Sequence, residues 1–527
     1  MTETMARVPL PVWAAVPAVL LAGIVSDAAY PDIGWWPAIL LGVAGLLVAL
    51  IGRRPWMAAL LGFLYGMSFY LVHIEWAAVF LGPVPMVGLS VLCAAYYAIG
   101  SAGIALAYRW LPRRWPGVAG RMILLPLAVA GLWTLRESVN SVWPYGGFAW
   151  GRVGHAMIDS PVASLYAWVG VAGMTFLVVL LIAVTIEAVR FRGLPQLRRV
   201  VAPLGLIAVL LIWPVWPTPT TGELRIAVVQ GNAKAGYFDA RDREPGDLLA
   251  AQYLATEPLF GEVDVDLVLW PEGSSEWDPR REPYAATVWS EVSERMDAPL
   301  IAQSVVERTA PDGVVTWTNT AMLWSDGEVL DEYDKRHPVP FGEYVPDRWF
   351  FRMLAPGLID LIQREYTPGT TDAVMDLPTA AGPVRLGIDI CFDIVDDALL
   401  RESVLDGGRL LVSSSNNADF GRTDESRQQL DFARIRAVEL GRAVVNASTV
   451  GITAVVDPDG TVREELPWYT VGSIVTTVPL IDTLTPAAAA GQWIEWATWA
   501  IGAGLLFGAA ARRWPGRGAT QGVSSPS

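Results

Sequence analysis

The sequence is poor in charged residues, and this shortage excludes several classes of protein. Only 17% of its 527 residues are charged, whereas 53% are hydrophobic and the mean hydropathy is +0.37. A soluble protein carries about a quarter charged residues, so much of this chain is predicted to lie in a membrane. The formal net charge of -15 argues against nucleic-acid binding, which usually requires a basic surface.

Cysteine and histidine are also scarce, which excludes a disulfide framework and a metal cluster. The two cysteines are Cys93, inside a long apolar run, and Cys391, in the polar half of the chain. Cys93 is interpreted as a small buried residue, and the two thiols are not predicted to pair. The three histidines, His73, His155 and His337, form no cluster with cysteine at metal-ligand spacing. We therefore expect no metal and no cofactor.

Apolar runs separated by short polar links fill the first part of the chain. Several reach the roughly 20 residues needed to cross the hydrocarbon core of a bilayer, and one more lies near the end. The predicted spans are near residues 11–27, 33–51, 57–74, 85–108, 122–139, 161–189, 200–216 and 490–511. The first run could instead be a signal peptide, but no small-residue cleavage site stands out and more spans follow.

The arginines of the links predict an orientation. They are concentrated in the links after the second, fourth and sixth runs and in the tail after the last run. Because basic links belong on the cytoplasmic side, both termini are predicted to be cytoplasmic. The predicted organisation is a bundle of about seven helices, an extracytoplasmic domain, a C-terminal transmembrane helix and a flexible cytoplasmic tail: 1–217, 218–485, 486–512 and 513–527.

Between Thr218 and about Ile481 the charged residues return and the long apolar runs end. Short β-type runs occur at 224–229, 265–270, 300–305, 320–323, 385–390, 410–413 and 451–456. Helix-like stretches lie between several of them, at 247–257 and 427–440. Alternating strands and helices indicate a layered α/β domain.

Three segments of this domain place a reactive side chain at or just after a predicted strand. Glu272 ends the run Leu-Val-Leu-Trp-Pro-Glu, Lys335 ends Tyr-Asp-Lys, and Cys391 ends Gly-Ile-Asp-Ile-Cys. Strand ends are where α/β sheets build their sites. A thiol is mostly protonated at neutral pH, and Glu272 could accept its proton. Lys335, with a backbone N–H near Phe392, could then stabilise the oxyanion formed when the sulfur attacks a carbonyl.

Each of these residues also has an ordinary interpretation. A single glutamate or lysine usually lies on a solvated surface, and a single cysteine is usually a small core residue. The combination is more specific than any of its members. His337 offers a Cys/His alternative, but we interpret it as a residue that orders the loop beside Lys335.

Together these motifs resemble the apolipoprotein N-acyltransferase family, the membrane members of the nitrilase (carbon-nitrogen hydrolase) superfamily. The resemblance covers nearly the whole chain: the amino-terminal spans, the α/β domain and the closing span. It rests on the motifs Val229-Gln-Gly-Asn232, Trp270-Pro-Glu272, Tyr333-Asp-Lys335, Pro340-Phe-Gly-Glu-Tyr-Val-Pro346, Ile390-Cys391-Phe, Ser415-Asn-Asn-Ala-Asp-Phe-Gly421, Ala433-Arg-Ile-Arg-Ala-Val-Glu-Leu-Gly-Arg442 and Gly451-Ile-Thr453.

The resemblance implies a polytopic α-helical membrane bundle joined to an α/β nitrilase-like domain, an αββα sandwich. It also implies a general base, a cation that stabilises the oxyanion, a nucleophile and an assisting carboxylate: Glu272, Lys335, Cys391 and Glu343. Four residues are expected to contact the substrate: Phe392, Asp393, Tyr237 and Phe238. This chain departs from the family pattern at Asp393, where glutamate is commoner, and at Gly273 and Ser274, where Thr-Ala is common.

The implied reaction is an N-acyl transfer in the bacterial plasma membrane. The thiolate of Cys391 would take an acyl chain from a phospholipid and pass it to the α-amine of the N-terminal diacylglyceryl-cysteine of a lipoprotein, with ping-pong kinetics. Two alternatives are a membrane-tethered amidase with the same triad and an inactive lipoprotein-binding scaffold. The large bundle argues against the first, and the presence of all three triad residues argues against the second.

Overall fold

The computed structural model describes residues 10–191, 193, 195–236, 243–309 and 313–511. The amino-terminal part is helical and comprises α1 Val12–Asp27, α2 Pro37–Leu50, α3 Pro55–His73, the short α4 Ala77–Leu81, α5 Pro83–Arg114, α6 Leu125–Val142, α7 Tyr166–Arg190 and α8 Gln196–Leu211. Proline lies in the first turn of α2, α3 and α5. Its missing N–H costs no helical hydrogen bond at that position.

Four helical segments of the described chain are long and apolar enough to cross a membrane. They are Pro55–His73, Pro83–Arg114, Gly120–Val142 and Ala163–Arg190. The helices Val12–Asp27 and Pro37–Leu50 are apolar but shorter. The chain is therefore a multi-pass membrane protein, and the expected total of about seven amino-terminal spans stays a prediction.

Two six-stranded sheets form the second half of the chain. Their strands are β1 Gly222–Gln230, β2 Leu267–Leu269, β3 Leu300–Thr309, β4 Val315–Ser325, β5 Glu328–Asp334, β6 Val374–Leu377, β7 Val384–Ile390, β8 Leu410–Ser415, β9 Val444–Ser448, β10 Thr453–Val456, β11 Val462–Leu466 and β12 Gly472–Leu480. The first sheet has the order β12-β1-β2-β3-β4-β5, and the second has the order β11-β10-β9-β8-β7-β6. In each sheet three neighbouring strands are parallel, β1-β2-β3 and β7-β8-β9. Strands such as β8 and β9 are buried along their whole length, as is typical of parallel strands covered on both faces.

The layers follow the αββα order, which confirms the predicted fold class. The helices of this half are α9 Asp247–Thr256, α10 Pro283–Met296, α11 Arg348–Leu354, α12 Pro356–Ile359, α13 Asp397–Leu405 and α14 Glu425–Leu440. One apolar core lies between the two sheets, with side chains such as Val228 and Ile388. A second core joins the outer face of the first sheet to α9 and α10. A third joins the second sheet, through α13 and α14, to the helical bundle.

The second sheet is therefore the one fixed to the bundle. Arg152, in the loop after α6, pairs with Asp397 at the start of α13 at 2.6 Å. The indole N–H groups of Trp76 and Trp150 both donate to Gln428 of α14, at 3.1 and 2.8 Å. These contacts attach α13 and α14, and with them the second sheet, to the bundle.

The last helix, α15 Pro486–Ala510, packs against α6 and α7. Its Gly502 approaches Gly131 of α6 so closely that a Cβ on Gly131 would lie 2.5 Å from the Gly502 nitrogen. Only glycine allows this separation. Helix α15 thus returns the chain from the α/β domain to the bundle.

Candidate active site

The three reactive side chains come from strand ends of both sheets. Glu272 follows β2 and Lys335 follows β5 in the first sheet, whereas Cys391 follows β7 in the second. The hydroxyl of Thr449, just after β9, donates to the backbone carbonyl of Glu272. The turn that carries Glu272 is therefore tied directly to the sheet that carries Cys391.

Lys335 lies at the centre of a buried charge cluster. Its Nζ is 3.3 Å from Oε1 of Glu272 and 3.0 Å from Oε1 of Glu343, and only 2% of the side chain is exposed. Asn319 of β4 donates from Nδ2 to the same Glu272 oxygen at 2.7 Å. The Lys335 amide in turn donates to the Asn319 carbonyl at 2.8 Å, so strand pairing positions the cation and the carboxylate together.

The surroundings shift the proton affinities of the carboxylate and the thiol. Burial raises the pKa of Glu272; Lys335 and Asn319 oppose the rise, and Glu343 adds to it. Burial, with the nearby Glu272 charge, also raises the pKa of the Cys391 thiol well above its usual value. The thiol is thus protonated at rest, and a carboxylate with a raised pKa is suited to remove that proton during attack.

The lysine keeps its positive charge in this site. Burial lowers the pKa of the Lys335 ammonium, but the Glu272 and Glu343 carboxylates raise it, and the net result is a pKa well above the usual value. A buried cation next to a nucleophile stabilises negative charge that develops there more strongly than it would in water. The pair Glu272 and Lys335 can therefore act as a base and an electrostatic stabiliser for a reaction at Cys391.

The backbone of Cys391 is in the left-handed region, with φ +55°, an uncommon conformation for a residue with a side chain. The short 3₁₀ turn that begins there is braced by Asp393, which is fully buried. Its Oδ2 accepts from the Tyr333 hydroxyl at 2.7 Å, and its Oδ1 accepts from the His337 amide at 2.9 Å. Asp393 thus joins the Cys391 turn to the Lys335 loop, and its expected contact with the substrate stays a prediction.

Of the other three residues expected to contact the substrate, the structure describes only Phe392. Phe392 is partly exposed and stacks on Trp150 of the bundle, with ring centroids 6.0 Å apart and planes at 9°. Tyr237 and Phe238 lie outside the described residues. The ring of His337 is 3.7 Å from Asp396, which is compatible with a role in ordering the loop.

A cavity of about 170 Å³ adjoins Phe392. It lies between the loop after α6 and the loop that follows Lys335, and its lining includes Ser141, Tyr145, Arg336, His337, Phe392 and Asp396. The lining carries charges of both signs. The cavity therefore lies between the bundle and the α/β domain, and it contacts Phe392 and Arg336, the residues that follow Cys391 and Lys335 in the chain.

Two further polar residues of the site are not predicted by the sequence. Asn319 lies inside β4, and Gln429 lies inside α14, where its Nε2 donates to the Cys391 carbonyl at 3.3 Å. What marks these two residues is that their side-chain amides are buried, and the sequence alone does not reveal burial.

The Gly273 and Ser274 departures from the family pattern are accommodated locally: Gly273 has φ +67°, and Ser274 bonds to the Gln303 backbone. Within the described ranges, no three His, Cys, Asp or Glu residues are grouped so that they could hold a metal ion.

The chain is similar to known proteins along most of its length. Two family models match the chain: the apolipoprotein N-acyltransferase N-terminal domain at residues 22–184 and carbon-nitrogen hydrolase at residues 225–485. The apolipoprotein N-acyltransferase of Mycolicibacterium smegmatis is 31% identical over 512 residues, which cover 90% of this chain and 81% of the relative. This chain belongs to the apolipoprotein N-acyltransferase family.

Relatives of the same name occur in other bacteria. That of Photobacterium profundum is 26% identical over 90% of both chains, and that of Azotobacter vinelandii is 28% identical over 92% of both. The family and its carbon-nitrogen hydrolase domain support an enzyme, as predicted.

Solved structures similar to the α/β half are of nitrilase-superfamily proteins and amidases. Saccharomyces cerevisiae Nit3 is 18% identical, with a TM-score of 0.36, over 49% of this chain and 91% of that chain. An amidase from Nesterenkonia sp. is 20% identical, with a TM-score of 0.37, over 54% of this chain and 100% of that chain.

Proposed function

We propose that this chain transfers an acyl group from a phospholipid, through a thioester on Cys391, to the α-amine of the N-terminal diacylglyceryl-cysteine of a lipoprotein. The observation that carries the proposal is the buried cluster of Glu272, Lys335 and Glu343. It is coupled electrostatically to Cys391, in a domain that packs on a membrane bundle. The name shared by the relatives supports the choice of substrates.

In the first half-reaction, Sγ of Cys391 attacks the ester carbonyl of the phospholipid. Glu272 accepts the thiol proton as the S–C bond forms. The ammonium of Lys335 and the backbone N–H of Phe392 stabilise the oxyanion. When the intermediate collapses, the ester C–O bond breaks, and the leaving lysophospholipid oxygen takes the proton from Glu272.

In the second half-reaction, the α-amine of the lipoprotein attacks the thioester. The C–N bond forms, the amine proton passes to Glu272, and the C–S bond breaks with Lys335 again beside the oxyanion. The sulfur recovers the proton from Glu272, which restores the resting site. Division of the transfer into two steps through a covalent intermediate lowers each barrier.

The cavity beside Phe392 supports a route for the lipid. Its position between the bundle and the α/β domain suits a substrate whose acyl chains lie in the bilayer and whose polar part reaches Cys391. Arg336 and Asp396 supply opposite charges in its lining. We further propose the organisation inferred from the sequence: a bundle at 1–217, an extracytoplasmic domain at 218–485, a closing span at 486–512 and a tail at 513–527, with both termini in the cytoplasm.

The test uses purified protein in detergent with a labelled phospholipid and a diacylglyceryl-cysteine peptide. Label should move to the peptide amine with the unmodified protein and with Cys93→Ala, and not with Cys391→Ala. Cys93 is the matched control because it is the other thiol of the chain and is fully buried in the bundle. Hydrolysis of small amides without transfer would instead favour the tethered amidase. The absence of both activities would favour the inactive scaffold.

A second measurement addresses the covalent intermediate. With phospholipid and no acceptor, the mass of the protein should increase by one acyl group on Cys391. Addition of the peptide should remove that mass. Transfer that proceeds in Cys391→Ala would exclude the thioester.

A further inference from the structure

A buried amide lies behind the nucleophile and makes four hydrogen bonds. Oδ1 of Asn417, just after β8, accepts from the hydroxyls of Ser415 and Ser448 at 3.1 and 2.5 Å. Its Nδ2 donates to Glu425 at 2.8 Å and to Oε1 of Gln429 at 2.5 Å. Both ends of this amide are satisfied, and Asn417 is only 2% exposed, so its orientation is fixed.

The orientation of Asn417 determines that of Gln429. Because Oε1 of Gln429 accepts from Asn417, its Nε2 faces the opposite way and donates to the Cys391 carbonyl at 3.3 Å. A flipped Gln429 would place two NH₂ groups against each other and a carbonyl against a carbonyl. Gln429 is also 2% exposed, so water cannot replace either bond. The donation therefore runs in one direction, from Asn417 through Gln429 to Cys391.

This bond controls a group that the proposed reaction uses. The carbonyl of Cys391 and the N–H of Phe392 belong to one planar trans peptide unit, in which they point in opposite directions. A hydrogen bond that holds the carbonyl therefore also sets the direction of the N–H. It acts at a residue whose backbone is already in the uncommon left-handed region, with φ +55°.

The Glu425 carboxyl is another hydrogen-bond partner of Asn417, and it adds no charge near the nucleophile. It is buried and accepts a hydrogen bond from Asn417. Burial raises the pKa of Glu425 to about 8, so it is mostly protonated at neutral pH. An ionised Glu425 would raise the pKa of the Cys391 thiol, so the neutral form leaves Glu272 as the base.

We propose that Gln429 is a positioning residue, which holds the peptide between Cys391 and Phe392 so that the Phe392 N–H points at the developing oxyanion. The inference rests on the proposed function, because the oxyanion arises in acyl transfer to Cys391. Gln429 itself does not contact the reacting atoms. It should affect reactions of the thiol that pass through an oxyanion and leave other reactions of the same thiol unchanged.

Two reagents distinguish reactions of the Cys391 thiol that pass through an oxyanion from reactions that do not. A p-nitrophenyl ester acylates Cys391 through a tetrahedral oxyanion and releases a burst of nitrophenolate, whereas iodoacetamide alkylates the thiol by displacement and forms no oxyanion. Gln429→Met keeps the side-chain volume and removes the donor. We expect the burst rate to fall about tenfold to hundredfold, somewhat less than for the deletion of an oxyanion donor, with the alkylation rate nearly unchanged.

The matched control is Gln252→Met, which makes the same change at a fully buried glutamine of α9, on the outer face of the first sheet. It should leave both rates unchanged. Gln429→His should restore much of the burst, since a neutral imidazole offers one acceptor for Asn417 and one N–H donor for Cys391. Thermal unfolding in detergent shows whether each variant is folded.

The outcomes are distinct. A normal burst in Gln429→Met, or an alkylation rate that falls as much as the burst, would overturn the positioning role. The proposed function fails separately, if the unmodified protein reacts with the nitrophenyl ester but forms no thioester with a phospholipid. The burst of the variants would still test Gln429 in that case.

Discussion

Replacement of Glu343 by glutamine should move the acid limb of the kcat/KM profile to lower pH. Glu343 and Glu272 both contact Nζ of Lys335, at 3.0 and 3.3 Å, so their nearest oxygens are within about 6 Å of each other and repel. This repulsion is one of the causes of the raised pKa of Glu272. Without it, the proposed base should ionise more readily.

The geometry gives the size of the repulsion between the Glu343 and Glu272 carboxylates. At this separation and an effective dielectric constant of about 20, two unit charges repel by about 3 kcal/mol. The glutamine has one carbonyl oxygen in place of two carboxylate oxygens, and Glu343 now accepts from both Lys335 and the Val339 amide, the latter at 2.6 Å. Nζ of Lys335 contacts both oxygens of Glu343, Oε1 at 3.0 Å and Oε2 at 2.9 Å, and Oε2 also accepts the Val339 bond. A glutamine oxygen in the place of Oε2 keeps the Val339 bond and one contact to Lys335, so the contact through Oε1 is lost. A bond to a charged group is worth about 1.5–3 kcal/mol, so the plateau of kcat/KM should fall roughly tenfold to hundredfold.

The assay is kcat/KM for the nitrophenyl ester as a function of pH, because the acid limb reports the base of the free enzyme. Glu402→Gln is the control: Glu402 pairs with the neighbouring Arg336 at 2.9 Å, so it makes the same charge change without contact to Lys335. An acid limb that stays in place or moves to higher pH in Glu343→Gln would refute the reasoning. An equal shift in Glu402→Gln would do the same.

Three other predictions use different parts of the molecule. Asn319→Leu removes the 2.7 Å hydrogen bond to Glu272 that lowers its pKa, so the acid limb should move to higher pH; a shift to lower pH would contradict this. Burial raises the pKa of Glu425 from 4.5 to about 8. The stability that the folded protein gains by keeping this side chain neutral is therefore fully present below pH 4.5 and is lost as the pH rises to about 8. Glu425→Gln should therefore raise the Tm at pH 8 and leave it unchanged at pH 4.5, and equal Tm values at pH 8 would count against a buried neutral acid. Arg152→Met removes a 2.6 Å partner of Asp397, which keeps Arg436 at 2.7 Å. The loss of this one bond should cost about 1.5–3 kcal/mol of unfolding free energy, measured by thermal unfolding in detergent; an unchanged Tm would show that this ion pair does not hold the bundle to the domain.

The attachment of the second sheet to the bundle has a mechanistic consequence. Cys391 and the turn after it lie on the sheet that α13 and α14 connect to the membrane helices, and Phe392 stacks on Trp150 of the bundle. Glu272 and Lys335 lie on the other sheet. The proposed nucleophile thus lies on the sheet that packs on the bundle, an arrangement that suits the proposed lipid substrate.

Much of this protein is determined by local sequence. Length and composition predict a membrane chain, and period-two and buried runs predict strands, because these patterns reflect what each segment must bury. All seven predicted β-type runs overlap observed strands, and the predicted αββα fold class is confirmed. The runs missed include β11, whose Arg-Glu-Glu centre is exposed, as is common for a strand at the edge of a sheet. Strand ends and short motifs can also be recognised in the local sequence, which is why it predicts Glu272, Lys335 and Cys391 as site residues.

Only the tertiary structure decided which of these residues meet and how they are oriented. Strand order and packing of the two sheets bring Glu272 and Lys335 to Cys391, although they belong to different sheets. Packing also decided that the buried carboxylate of Asp393 accepts from Tyr333 and the His337 amide, which the sequence did not predict. Gln429 is 38 residues from Cys391 in the chain, and nothing near it in sequence marks it. The physical reason is that burial and hydrogen-bond direction depend on which distant elements pack together, and a single segment does not carry that information.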